Sequence, residues 1–198
     1  MTTSYHDTER NKMLDSIRNL VTTTRATVNQ TDISKNINKI ASTFISYYTA
    51  SPGAEHYRLL AYVSYFTNGT NILDIGTYLG YSSIALSQNN NNRVISYDVY
   101  KHHIQEDHDN VTYRIGDARE FEDFENTKVI LLDTYHDGVY EEQFINHLRS
   151  IKWSGLLIMD DIHEYPKLEE LYNKLPEEKY DITNIGHWSG TGIVLFQK

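Results

Sequence analysis

The apolar positions of this chain change rhythm once. In residues 7–24, Met13, Leu14, Ile17, Leu20 and Val21 recur at helical spacing and predict a first helix. In 32–48, Ile33, Ile37, Ile40, Phe44 and Tyr48 recur every three or four positions behind a Thr31/Asp32 cap, which predicts a second. "ASPGAEHYRLLAYVSYF" turns at Pro52-Gly53 and predicts a third helix from about Ala54. From residue 71 the period shortens. "NILDIG", "RVISYD", "VTYRIG", "KVILLD" and "GLLIMDD" are brief apolar runs between polar, helix-compatible stretches. Buried parallel strands read this way, and the alternation predicts an α/β sheet. "KYDITNIG" and "TGIVLFQK", joined through "HWSG", predict a closing hairpin. "NNNN" at 89–92 reads as a loop without chemical meaning. No internal repeat or domain linker interrupts the pattern.

Four of the five parallel runs end at or beside an acid: Asp74, Asp98, Asp133, and Asp160 with Asp161; Asp117 follows the remaining one, the third. Ligands of open parallel sheets bind beyond the carboxyl ends of the strands. Any one of these acids is explained by helix capping, but five on one edge form a constellation.

Composition narrows the function classes. The 198 residues suit one domain, and no apolar run reaches the ~18 residues of a membrane span. The N-terminal "MTTSYHDTERNK" is polar and acid-bearing, unlike a secretory leader. With no cysteine, disulfides and thiolate metal sites are excluded; a cytoplasmic setting is expected. A net charge of −9 without a Lys/Arg cluster disfavours nucleic acid as partner. Sixteen tyrosines suggest core-edge residues, a few of them lining an aromatic pocket.

"NILDIGTYLGYSS" carries the chemistry. Asp74-x-Gly76-x-x-x-Gly80 is neither the nicotinamide fingerprint nor a phosphate loop, yet its glycines allow close backbone approach to a ligand. A tight strand–helix turn with nothing bound is the alternative. Asp98 lies about twenty residues further on, where α/β nucleotide sites hold an acid for the ribose hydroxyls. In "IGDARE", Asp117 and the Ala118 amide are placed to read an adenine edge.

"NILDIGTYLGYSSIALS" resembles the first motif of class I S-adenosylmethionine-dependent methyltransferases, and "TASPGAEHYRLLAYV" is similar to the segment before it in caffeoyl-CoA and catechol O-methyltransferases. The resemblance spans roughly residues 50–198. It implies a seven-stranded Rossmann-like sheet, mostly parallel with an antiparallel last strand. Residues 1–50 would then be an added helical lid or dimer surface, and 51–198 the cofactor domain. By this resemblance Gly76 and Gly80 line the methionine part of S-adenosylmethionine, Asp98 binds ribose, and Asp117 with Ala118 faces adenine. Ser51 to Glu55 approach the methionine end, with Tyr81 and Ser82 close by. Asp74, Thr77 and Asp133 complete the cofactor set. The connection "VYKHHIQEDHDN" is shorter than the helix usual in these enzymes. Its His102, His103 and His108 read as exposed loop histidines, with a three-histidine metal site as the alternative.

Asp133, Asp160 and Asp161 gather at one sheet edge. Three carboxylates repel unless a cation or protons intervene, and hard oxygen ligands suit Mg²⁺. Capping and internal ion pairing are the alternative. Metal-dependent O-methyltransferases show this pattern, so the resemblance makes these three the metal ligands. "DTYHDG…DDIHEY" is closer to the macrocin-type sugar group, with a histidine three residues after the first metal acid. That position is His136, which suits a general base; a loop histidine or a metal ligand are the alternatives. His163 is a weaker candidate for substrate contact. His187 and Trp188 would wall the acceptor pocket if strand six is parallel. The expected function is cation-assisted methyl transfer to a hydroxyl of a small diol, catechol or sugar. A metal-independent N- or macromolecule methyltransferase and a silent cofactor-binding scaffold are the competing readings.

Overall fold

A computed structural model describes residues 19–102, 107 and 109–197. The helix expected over 7–24 falls mostly outside these residues; positions 19–22 are helical. His103 and His108 also lie outside them.

The described helices are α1 (Arg25–Asn29), α2 (Ile45–Tyr48), α3 (Tyr57–Phe66), α4 (Tyr81–Leu86), α5 (Val139–Ser150) and α6 (Pro166–Lys174). The strands are β1 (Asn71–Ile75), β2 (Arg93–Asp98), β3 (Val111–Ile115), β4 (Thr127–Leu132), β5 (Gly155–Asp160), β6 (Glu178–Asp181) and β7 (Thr191–Phe196). They form one sheet in the order β3-β2-β1-β4-β5-β7-β6. β1 pairs parallel with β2 and β4, β2 with β3, and β4 with β5. β7 is antiparallel to both β5 and β6. β6 therefore runs in the direction of β1–β5, and the β6–β7 turn returns to their carboxyl edge.

The period of two divides each strand between two cores. Ile72, Val94, Val129, Leu131, Ile158 and Ile193 face α3, α4 and the N-terminal segment. Leu73, Ile75, Ile95, Ile130, Leu132 and Met159 face α5 and α6 through Phe144, Leu148, Leu168 and Tyr172. Each such side chain, fully buried, contributes ~1.5–3 kcal/mol.

The helix expected over 32–48 does not form. Ile37–Lys39 and Ser42–Phe44 are single 3₁₀ turns, and only Ile45–Tyr48 is α-helical. Asp32 accepts from the Ser34 amide instead of capping a long helix, and Asn36 turns left-handed at φ 60°. Lys35 is held by its backbone to the Gln88 side chain and by Nζ to Ser87 O and Asn110 Oδ1. Tertiary bonds and β-branched residues outweigh the weak helical period here. Ile33, Ile40 and Tyr48 still enter the core, so the described part of the 1–50 extension packs as one body with the sheet. α3 begins three residues later than expected, which leaves Glu55 and His56 in the turn before it.

The asparagine run has structural meaning. Buried Asn92 donates to Ser64 O and Thr67 O, and Asn89 donates to Thr67 O. Asn110 donates to the carbonyls of Ser87, Asn89 and Asn92. These amides fasten the end of α4 to α3 and to the start of β3.

Candidate active site

β1 ends at Ile75 and the chain reverses at Gly76, φ +96°. A Cβ there would lie 1.5 Å from Asp133 O, so only glycine lets β1 and β4 release their chains side by side. Gly76 and Thr77 both donate their amides to Tyr97 O, and Gly80, φ +80°, starts α4. Behind the turn, Asp74 is fully buried. Its Oδ2 accepts from Ser96 Oγ at 2.6 Å and Ser82 Oγ at 3.1 Å, while Oδ1 has no hydrogen-bond partner. Burial pushes this carboxyl up to about 6, against the lowering effect of the two serines.

Over the carboxyl ends of β1, β2 and β4 opens a cavity of about 430 Å³. Gly76, Asp98, Ala118 and Asp133 line it, together with Tyr78, Tyr97, Tyr100, Tyr135 and Tyr140. Asp98 Oδ2 accepts from the Tyr78 amide and Oδ1 from the Tyr100 amide; His102 Nε2 approaches Oδ2 at 3.4 Å. The volume, the glycine-lined wall and a carboxylate at its rim suit an adenosyl group flanked by aromatic rings. Asp117 is held by its neighbours. Its carboxylate accepts from the Arg119 amide and guanidinium and from Tyr140 OH, and the Arg119 bond holds it down at about 2. Ala118 faces the cavity without it. Tyr81 packs among Phe44, Tyr48 and Tyr57, and Ser51 is exposed at the turn before α3.

At the other side of Asp133 stands His136. Its Nε2 lies 3.3 Å from Asp133 Oδ1 and 3.4 Å from Asp161 Oδ2, and its ring stacks on Tyr165 at 5.8 Å. Burial opposes charge on this imidazole, but the bond to Asp133 and the charges of Asp133, Asp161 and Asp160 raise its pKa. Asp133 is itself raised, by burial first. His136, Asp161 and Tyr78 all adopt positive φ, at 57°, 56° and 41°. Such backbone is costly for these residues and is held here by the surrounding contacts. Glu141, in the first turn of α5, accepts from the His136 amide and Thr134 Oγ1, fixing the loop. An acid at the third position after Gly138 was its only sequence signal.

Asp160, Asp161, His187 and Glu55 meet beside this loop. His187 Nδ1 lies 2.9 Å from Asp161 Oδ1 and 3.4 Å from Asp160 Oδ2; His187 Nε2 lies 3.5 Å from Glu55 Oε2. His56 Nδ1 lies 3.1 Å from Asp160 Oδ1. Burial resists charge on His56 and His187, yet the carboxylates raise both pKa values; Asp160 is correspondingly depressed against its own burial. Trp188 is 65% exposed at the same tip. His163 turns away, onto Asp181 at 2.8 Å and Glu169 at 3.3 Å. Of the acids expected to bind a cation, Asp160 alone belongs to the group whose ligand atoms converge within 4.8 Å among the described residues. The other members are His56 and His187. Sequence pattern did not single out His56, since one histidine before an apolar helix carries no spacing signal.

No family model matches the sequence, and no curated protein does. Solved structures do. A Staphylococcus aureus protein assigned as a caffeoyl-CoA O-methyltransferase is 20% identical, with TM-score 0.54 over 71% of this chain and 82% of its own. A methyltransferase from Podospora anserina bound to S-adenosylhomocysteine is 12% identical, TM-score 0.54, covering 100% and 99%. An O-methyltransferase from Bacillus cereus, also in complex with S-adenosylhomocysteine, is 16% identical, TM-score 0.51, covering 94% and 91%. At these identities the likeness is one of fold: the chain has the class I methyltransferase architecture. No helix among the described residues is long and apolar enough to cross a membrane.

Proposed function

We propose that this protein transfers the methyl group of S-adenosylmethionine to a hydroxyl of a small diol, catechol or sugar. One observation carries the reading: Asp133 both lines the cavity that suits the cofactor and pairs with His136, so donor site and candidate base share a wall. When bound, S-adenosylmethionine supplies a methyl already activated on its sulfonium. Asp98 would accept hydrogen bonds from the ribose hydroxyls, Gly76 would admit the methionine end, and Ala118 would face adenine. His136 would take the acceptor's proton at Nε2, while Glu141 and Tyr165 hold its loop and ring. Holding oxygen, carbon and sulfur in line supplies several kcal/mol of the barrier reduction. A divalent cation at this edge, first expected on Asp133, Asp160 and Asp161, would lower the hydroxyl pKa.

The test is turnover with labelled methyl donor against catechol and sugar diols. His136→Ala should lower kcat roughly 10²–10⁴-fold and leave S-adenosylmethionine affinity unchanged by calorimetry. Because the imidazole pKa is raised, wild-type rate should climb with pH through a value above the ordinary ~6.5. That limb should vanish in the variant. Near-wild-type turnover of His136→Ala rules out the base role.

A further inference from the structure

We propose that His56, Asp160 and His187 form a two-histidine, one-carboxylate site for a first-row transition metal such as Mn²⁺, Fe²⁺, Co²⁺ or Zn²⁺. The three come from separate elements: the turn before α3, the end of β5 and the β6–β7 tip. Their ligand atoms lie within 4.8 Å of one another. A cation ~2.1 Å from each of two ligands separates them by about 3.0–3.4 Å, for right-angle to tetrahedral geometry. His56 Nδ1 and Asp160 Oδ1 are 3.1 Å apart, and His187 Nδ1 and Asp160 Oδ2 are 3.4 Å apart, so each imidazole faces its own oxygen and the carboxylate would meet the cation through both.

The second observation is the burial of this pair. His56 Nδ1 and Asp160 Oδ1 are buried and face each other at 3.1 Å, with no further hydrogen-bond partner. Their residues are 4% and 3% exposed. A buried imidazole and carboxylate with no partner beyond each other keep lone pairs free for a cation placed between them. Two further carboxylates border the group. Glu55 Oε2 lies 3.5 Å from His187 Nε2, the ring nitrogen opposite the ligating Nδ1. Asp161 Oδ1 borders the same space, 2.9 Å from His187 Nδ1, and accepts from Ser189 Oγ.

Ligand type sets the metal class. Imidazole favours Mn²⁺ through Zn²⁺ over Mg²⁺, which prefers an all-oxygen shell and keeps its waters. This deepens the cation part of the proposed methyl transfer, but binding is measurable without turnover, so the two readings fail separately.

Metal-stripped full-length protein is titrated with Co²⁺ and, separately, Mg²⁺. The expected result is one Co²⁺ per chain, bound at least about 100-fold more tightly than Mg²⁺, with visible d–d absorption. His56→Gln and His187→Gln should each weaken Co²⁺ at least about tenfold, and Asp133→Asn should change it less than about threefold. Should either histidine variant misfold, the wild type still decides: Zn²⁺ must shift the ¹⁵N ring signals of two of the nine histidines. No Co²⁺ binding, Mg²⁺ binding of equal strength, or bound metal without imidazole shifts overturns the site.

Discussion

Asp74 shows how one residue couples the glycine turn to pH. Burial pushes its carboxyl up to about 6 in the folded chain, above the ordinary 3.8. The folded chain therefore keeps a proton that the unfolded chain releases, and stability falls as pH rises from about 4 to about 6. A displacement of that size corresponds to about 3 kcal/mol at most. Asp74→Asn should abolish that fall, read as the slope of unfolding free energy against pH in urea titrations. An unchanged slope would refute the buried-carboxyl account. The acids nearby differ in environment alone. Asp117 is stabilised ionised by Arg119 and Asp160 by two histidines, while Asp74 and Asp133 are raised by burial. Residue type placed all of them at strand ends; their partners assigned them different work.

At the scale of elements, the β1–α4 turn is the part least tolerant of change. Gly76→Ala combines a left-handed backbone, worth ~1–3 kcal/mol, with a Cβ 1.5 Å from Asp133 O. Gly69 offers a control. It too has positive φ, +67°, but a Cβ there meets nothing within 4 Å. Chemical unfolding should show Gly69→Ala losing only the backbone cost and Gly76→Ala clearly more, with loss of S-adenosylmethionine binding as well. Equal losses would mean the β1–β4 approach is not constrained by this glycine. The parallel strands were legible because a short continuous apolar run, buried on both faces, is a strong, local signal. The 32–48 segment was not. Its apolar spacing imitates a helix, yet Ile33 and Ile40 reach the core from turns pinned by Gln88 and Asn110, more than fifty residues away in sequence.

For the whole molecule, the proposed cofactor role makes one thermodynamic demand: S-adenosylmethionine must bind the folded chain alone. At 100 times Kd, S-adenosylmethionine should add ~2.7 kcal/mol of stability, a rise in Tm of about 5–10 °C for a chain of this size. If Asp98 holds the ribose as proposed, Asp98→Ala removes a charge-assisted bond of ~1.5–3 kcal/mol, so at the same concentration the gain should shrink to roughly 0.3–1.3 kcal/mol. Thermal unfolding of both proteins checks this, and an unshifted wild type would sink the cofactor reading. By itself the sequence determined the α/β class, the order of strands along the chain, the glycine turn and the row of strand-end acids. Each depends on neighbours a few positions apart. Only the tertiary structure decided which groups those acids face. His56, Asp160 and His187 converge because a turn, a central strand and the tip of a hairpin end at one edge. Contacts between residues 56, 160 and 187 leave no periodic trace in a chain, because their separation is set by how the sheet packs and not by any local repeat.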